Sequence, residues 1–477
     1  MWLDEAQHIL LARESGSLSE LIYNARYEGH PMLWNFFLFV ITRFTDDLLV
    51  VQLLHILISS ACVYLILKYA PLSFFEKILV CFGYFMLYEY SVLSRNYGLS
   101  LLFILLALVN ICSTKRNYIY IFSLLALLFN SHLFASVISM VMLVIVWSGF
   151  RDQPLKIKTI SLIILGSGVT FCLLHLVPPP DHFMNGYNTD KLLSSARFYK
   201  TLHSAILGYL PVPDFTYSNY WSNHYLLNHS QTISHWLSLF LFLMPAFLFR
   251  KHRDSFFLFY LSALPILTFI YFSPLRVATR HCGFFSILLL VSYWLYKNMK
   301  QKPLFKLDPL PLTMERTLST LYFGILLLSQ FFAGILYFRL DLKNDFSNGK
   351  KAGEFIDAHV KKQTFITISH FTAGPALKLY THHKLFYMEP NTFGSFCKWN
   401  THPVFISDST FLERLDSLLN EKKEIVLVNT TESKMDTLLN RNKVLRIIEN
   451  FQVAPLKAFK TSTIKSESYF IYSLRSH

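Results

Sequence analysis

Long apolar runs separated by short polar breaks fill the first 340 residues of the chain. A helix that crosses the hydrocarbon core of a bilayer needs about 20 predominantly apolar residues, with a working range near 17–25. By that measure the pattern predicts spans at 48–69, 78–93, 97–113, 117–130, 133–149, 159–177, 233–249, 255–272, 281–296 and 316–338. The run at 32–41 is shorter and fits an interfacial or re-entrant helix, giving ten to eleven apolar elements. No internal repeat stands out, and no helix reads as broken by Gly or Pro at mid-membrane. After about residue 340 the pattern changes. Segments 364–369 and 424–428 read as short buried strands, and 410–421 and 432–441 as helical stretches. The expected fold is mainly α: a polytopic transmembrane helical bundle over 48–339, preceded by a loop with interfacial helices over 1–47 and followed by a small α/β domain over 340–477.

Composition supports an apolar solvent for most of the chain. Hydrophobic residues make up 53% and charged residues only 16%, against about a quarter charged in an ordinary soluble domain. The 45 Phe and 26 Tyr suit helices that pack in lipid and anchor at its interfaces. The net charge of +14 does not indicate a nucleic-acid partner. Its cations fall in short clusters between apolar runs, at Lys115-Arg116, Arg151/Lys156/Lys158, Arg250-Lys251-His252-Arg253 and Lys297/Lys300/Lys302. No continuous basic face is left for a phosphate backbone. The six cysteines show neither a metal spacing nor a disulfide framework.

The positive clusters set an orientation, because cytoplasmic loops carry the excess of Lys and Arg. With 68–77 inside, alternation places 115–116, 150–158, 250–254 and 297–315 inside as well. The outer face then receives 1–47, Arg95-Asn96-Tyr97, Asn130-Ser131-His132, 178–232, 273–280 and everything after about 340. The expected location is the cytoplasmic (inner) membrane, with the chemistry and the C-terminal domain extracytoplasmic. Residues 1–47 reach that face with no span before them. Either a short polar N-terminus is translocated by itself, or a further apolar helix belongs upstream of Met1; the second is the expectation.

Several polar groups gather on the outer face. Asp4-Glu5 opens a helical stretch, where Asp also serves as an N-cap and Glu suits a first turn. Tyr27-Glu28-Gly29-His30-Pro31 then feeds the interfacial helix. Arg95 offers a planar guanidinium that can hold two phosphate oxygens, or else anchors the interface, and Tyr97 also fits an aromatic belt. Arg276, Arg280 and His281 run against the positive-inside trend, so an anionic lipid phosphate is their expected partner. His132 ends a span on the same face, where it orients a donor or simply closes a helix. His30 with Asp4 and Glu5 does not have metal-ligand spacing, so no metal is assigned, although a divalent ion is not excluded.

An Asp-Glu pair in the first external loop, a downstream His-Pro entering an apolar helix, and Ser94-Arg95-Asn96-Tyr97-Gly98 in the second external loop together resemble the GT-C superfamily of membrane glycosyltransferases. Within it the likeness is to bacterial relatives of protein O-mannosyltransferases and lipid A aminoarabinose transferases. It covers roughly residues 1–340, most clearly the first 135. The family carries a membrane helix before the Asp-Glu loop, and here this sequence departs from it. The resemblance implies transfer of a sugar from a polyprenyl-phosphate donor to an external glycan, lipid or protein acceptor by an inverting mechanism. It gives the base role to Asp4, with Glu5 supporting it or binding acceptor. Arg95, Tyr97, Arg280, His281, Arg276, His30 and His132 are then the candidates for donor contact. No cofactor is expected beyond the lipid-linked sugar, and membrane lipids are the other partner. The rival is a transporter or flippase for a lipid-linked sugar, which shares the arginines but has no use for an external Asp-Glu pair. The tract from Asn391 to Phe396, followed by Trp399, offers an aromatic surface for a glycan or a packed turn.

Overall fold

The computed structural model describes residues 1–183, 194–216, 220–273, 278–299, 312–400, 406–430, 451–460 and 462–476. The expected helix at 432–441 and most of the basic loop 297–315 lie outside them. Three helices precede the bundle: α1 (Leu3–Glu14), α2 (Leu18–Ala25) and α3 (Leu33–Thr42). The bundle comprises α4 (Leu48–Tyr69), α5 (Phe74–Cys81), a π-helical turn (Tyr84–Glu89), α6 (Asn96–Cys112), α7 (Tyr118–Phe129), α8 (Leu133–Phe150), α9 (Leu155–Leu176), α10 (Ser195–Tyr209), α11 (Tyr225–His229), α12 (Gln231–Phe249), α13 (Arg253–Phe272), α14 (Thr279–Asn298) and α15 (Leu312–Asp341). Side-chain oxygens fix several starts. Asp47 accepts from the Leu49 amide, Asn117 from Tyr120, and Ser73 with Glu76 forms a capping box.

Six helices among the described residues are long and apolar enough to cross a membrane: Leu48–Tyr69, Leu133–Phe150, Leu155–Leu176, Gln231–Phe249, Arg253–Phe272 and Thr317–Asp341. The expected count of ten is therefore corrected. Every predicted run contains a helix, but α7 has 12 residues and at 1.5 Å per residue rises only about 18 Å. Helix α6, with 17 residues, sits at the lower limit of the spanning range, and α14 opens on a polar turn carrying Arg280 and His281. The fourth exception corrects a second expectation, because the run 78–93 is broken. Helix α5 ends at Cys81, and after Gly83 the chain restarts as the π-helical turn. Helix α15 packs into that break through Gly334, where any side-chain methyl would collide with the Phe82 carbonyl oxygen.

The C-terminal part contains α16 (Gly349–His359), β1 (Phe365–Ile368), α17 (Gly374–Lys378), β2 (Leu385–Tyr387), β3 (Thr392–Gly394), α18 (Asp408–Lys422), β4 (Glu424–Asn429), β5 (Phe451–Phe459) and β6 (Tyr469–Ser476). Its six strands form one sheet in the order β3-β2-β1-β4-β6-β5, with β2, β1 and β4 parallel and the outer strands antiparallel. Alternation along β4 covers both faces. Val426 and Val428 pack with Ile356 and Ile366, whereas Ile425 and Leu427 pack with Leu415 and Leu419 of α18.

Helix α1 joins the two parts. Its residues from Glu5 to Ala12 are all buried, with α3 on one side and α17 on the other. Two buried carboxylates clamp it. Glu467 accepts the Leu3 amide at 2.8 Å, and the Gln7 side chain bridges Glu28 Oε1 (2.7 Å) and the Cys397 carbonyl (2.7 Å) while accepting from the Cys397 amide.

Replacing Gly334 by Ala drives a methyl into backbone atoms, and overpacking of this kind costs about 1–3 kcal/mol. The thermal midpoint of the purified protein in detergent should fall clearly. Gly324→Ala on the same helix meets nothing within 4 Å and should leave it unchanged or slightly higher. Equal shifts for the two variants would contradict this packing.

Candidate functional site

Five segments distant in sequence meet at one end of the bundle, beneath the C-terminal domain. The first turn of α1 brings Asp4 and Glu5, and the turn between α2 and α3 brings Glu28 and His30. The start of α6 brings Arg95 and Tyr97, the start of α8 brings His132, and the start of α14 brings Arg280 and His281. Gly29, at φ +64°, makes the turn that places His30.

Asp4 is the centre of this arrangement. Its Oδ2 accepts from Arg280 Nη2 at 2.7 Å, with the two side chains 20% and 15% exposed. Arg280 also lies against two indoles that meet edge to face, its guanidinium carbon 5.0 Å from the Trp2 ring and 5.5 Å from Trp221, where the ring faces attract the cation. Arg95 Nη1 donates to the Asp4 carbonyl oxygen at 2.7 Å, and its buried Nε has no hydrogen-bond partner among the described residues. Among those residues no carboxylate lies within 4 Å of Arg95. Arg280 therefore pairs with the Asp4 carboxylate, while Arg95, held by the Asp4 backbone carbonyl, has no ion-pair partner among the described residues.

Glu5 is occupied. Its oxygens accept the Trp2 amide at 3.2 Å and the Ser94 amide at 2.7 Å, which fixes the α1 turn against the segment that carries Arg95. The Asp-Glu pair thus divides: Glu5 holds the backbone, and Asp4 presents its carboxylate to Arg280.

An aromatic and imidazole wall lines the other side. The His30 ring stacks on His132 at 5.7 Å and on His281 at 6.4 Å between centroids, and His132 lies 5.8 Å from His281. The Tyr97 hydroxyl is 3.1 Å from His281 Nε2. His132 caps α8, with Nδ1 accepting the Phe134 amide at 3.1 Å. An imidazolium has no acceptor nitrogen, so this bond requires neutral His132 with its proton on Nε2. Burial, reinforced by Arg95, pushes the pKa of His30 down to about 4, and burial lowers that of His132 as well. The wall is therefore uncharged near neutral pH, and the positive charge of the site is carried by the arginines. Among the described residues no three His, Cys, Asp or Glu side chains are grouped so as to hold a metal ion. Arg276 lies outside the described residues.

Three contributors carry no signal in the sequence. Trp2 precedes the acidic pair, Trp221 falls in an aromatic stretch with no role assigned, and Glu28 reads only as part of a turn. Their spacing is uninformative, because each acts through a partner far along the chain. One further feature adjoins the site. A narrow apolar cavity of about 80 Å³ runs between the π-helical turn, α6, α14 and α15, lined by Phe85, Tyr90, Leu101, Ile287, Phe323 and Gln330 among others. The Tyr90 hydroxyl donates to the Arg280 backbone carbonyl at 2.6 Å, which ties one wall residue of the cavity to the segment that carries that arginine.

No protein-family model matches the chain, and no curated protein or solved structure is significantly similar to it.

Burial raises the pKa of the Glu28 carboxyl to about 7, with its bond to Gln7 opposing the shift, above an ordinary value near 4.3. The folded protein then binds a proton that the unfolded chain releases, so Glu28 lowers stability as pH rises from about 5 through 7. Glu28→Gln should remove that slope, gaining up to about 3 kcal/mol relative to the parent at pH 8 and nothing at pH 4. Denaturation midpoints of both proteins across this range provide the check. Parallel pH profiles would contradict the assignment.

Proposed function

We propose that the protein is a membrane glycosyltransferase of the GT-C kind, moving a sugar from a polyprenyl-phosphate donor to an acceptor outside the cytoplasmic membrane. The observation that carries this reading is the pair of guanidiniums at Asp4, with Arg280 on its carboxylate and Arg95 held only by its backbone carbonyl, its buried Nε without a hydrogen-bond partner among the described residues. A buried charge that is not fully paired is costly, and a phosphate placed between two guanidiniums would remove that cost. The neighbouring apolar cavity gives the start of a lipid chain a direction to leave the site. At about 80 Å³ it holds only a few carbons, so the lining helices would have to part for more.

The chemistry follows from the same groups. Asp4 takes the proton of the acceptor hydroxyl as its oxygen attacks the anomeric carbon, and the bond from that carbon to the phosphate oxygen breaks. Attack opposite the leaving phosphate inverts the anomeric centre. The charge that develops on the phosphate falls to Arg95 and Arg280, which burial makes more effective than the same cations in water. In the unliganded state Asp4 is held by Arg280. Donor phosphate drawing Arg280 to itself would release Asp4 to act as base, so that base function appears only when donor is bound.

A transporter or flippase for a lipid-linked sugar is the second reading, and the helix broken at Gly83 favours it, since discontinuous helices are common at transporter binding sites. Against it, the acid next to the break, Glu89, is fully buried and its Oε2 already accepts from Tyr84 (2.5 Å) and Trp221 (3.2 Å), its Oε1 having no hydrogen-bond partner among the described residues. Transfer from radiolabelled polyprenyl-phosphate sugars in membranes separates the two. Base catalysis contributes about 10²–10⁴-fold, so Asp4→Asn should reduce transfer by that factor at unchanged protein level. Equal transfer by parent and variant would remove Asp4 from the base role. No transfer by either, with lipid-linked sugar still crossing reconstituted vesicles, would establish the flippase.

A further inference from the structure

A second cavity, of about 680 Å³, opens between the C-terminal end of α1 and the β2–β3 side of the sheet. Its size is within the range of about 300–1,000 Å³ usual for sites that enclose a small ligand. Lys378, Lys384 and Lys398 line it, together with His382, and Glu14 is the only acid in the wall among the described residues. Among those residues, too, no carboxylate lies within 4 Å of any of the three lysines. Lys378 donates to the carbonyls of Thr381 (3.3 Å) and His383 (3.0 Å), and Lys398 sits over the rings of Tyr23 and Tyr27 at 4.8 and 4.7 Å. Both are held in place by neutral groups, with Glu14 and Asp357 near Lys378 but neither in contact with it.

The rest of the wall is aromatic and polar. Phe393 is half exposed, at 51%, and its edge contacts on Phe365 and Phe386 fix its orientation. Tyr387 lines the cavity although only 2% exposed, and its hydroxyl packs away from it against Gly374. Thr392, Ser395 and Asn400 add short polar side chains. Cations set among flat apolar faces and hydroxyl partners match a ligand that alternates C–H faces with carboxylates and hydroxyls. An acidic peptide fits less well. The sheet edge here, β3, offers only three residues for backbone pairing, too few to hold an added strand.

We infer that this groove binds an acidic oligosaccharide of the uronate type. That the bound glycan is also the acceptor for transfer rests on the glycosyltransferase reading, whereas the binding itself does not. Helix α1 connects the two sites, with Glu14 in the groove wall and Asp4 at its other end, about 15 Å away at 1.5 Å per residue.

The test is a titration of the full chain in nanodiscs with tetragalacturonate, with neutral maltotetraose and with tetraglutamate. Tetragalacturonate should bind with an affinity that falls as salt rises, and maltotetraose should bind at least tenfold more weakly. Lys384 is exposed, so Lys384→Glu should fold normally and lose at least tenfold in affinity, while Lys384→Arg keeps most of it. Binding that survives while transfer assays fail would keep the groove and remove only its acceptor role. Equal binding of maltotetraose, tighter binding of tetraglutamate, or an unchanged affinity in Lys384→Glu would overturn the proposal.

Discussion

The ion pair between Asp4 and Arg280 joins the first turn of α1 to the first turn of α14 across 276 positions of sequence, and the surrounding groups are arranged to make that pairing tolerable. Two indoles cover the guanidinium, Arg95 binds the carbonyl of the same aspartate, and Glu5 fixes the backbone on which Asp4 stands. Such a pair gains little from Coulomb attraction after its desolvation cost is met, and removing one partner leaves the other charge buried alone. An arrangement of this kind is better explained by what it can bind than by what it adds to stability.

The position of α1 is the structural counterpart of that constraint. A helix buried on nearly all sides needs partners for its polar groups, and here they come from both domains. Gln7 reaches Glu28 and Cys397, His8 lies 2.5 Å from Asn35, and Glu467 takes the Leu3 amide. The C-terminal domain therefore does more than cover the site, because it supplies hydrogen bonds that fix the helix bearing Asp4. Burial also pushes Glu467 up to about 7, so the clamps on either side of α1 respond to pH in the same direction as Glu28.

The apolar runs were legible in the sequence because burial in lipid imposes a length and a composition on each helix. The strands at 365–368 and 424–429 were legible because a short β-branched apolar run buried on both faces is a local signal. The break at Gly83 was not, since its cause is the approach of Gly334 from a helix about 250 residues away. Span counts also suffered where a polar first turn belongs to the site, as at Arg280 in α14. The residues the sequence singled out, Arg95, Tyr97, His30, His132, Arg280 and His281 at the ends of apolar runs and Asp4 in an Asp-Glu pair, are brought together by the structure. The division of labour between Asp4 and Glu5 was not legible. It depends on which carboxylate meets backbone amides and which meets an arginine, and that is decided by the turn at Ser94. Glu28, Trp2 and Trp221 were invisible for the same reason.

The central claim is that Asp4 and a lipid phosphate compete for Arg280. Binding of undecaprenyl phosphate, without sugar, to the full chain in nanodiscs tests it directly. Removing the negative charge of Asp4 should free the arginine, so Asp4→Asn should bind more tightly than the parent, and Arg280→Gln at least tenfold more weakly. An Asp4→Asn variant that binds the lipid more weakly, or an Arg280→Gln variant that binds it as the parent does, would contradict the account.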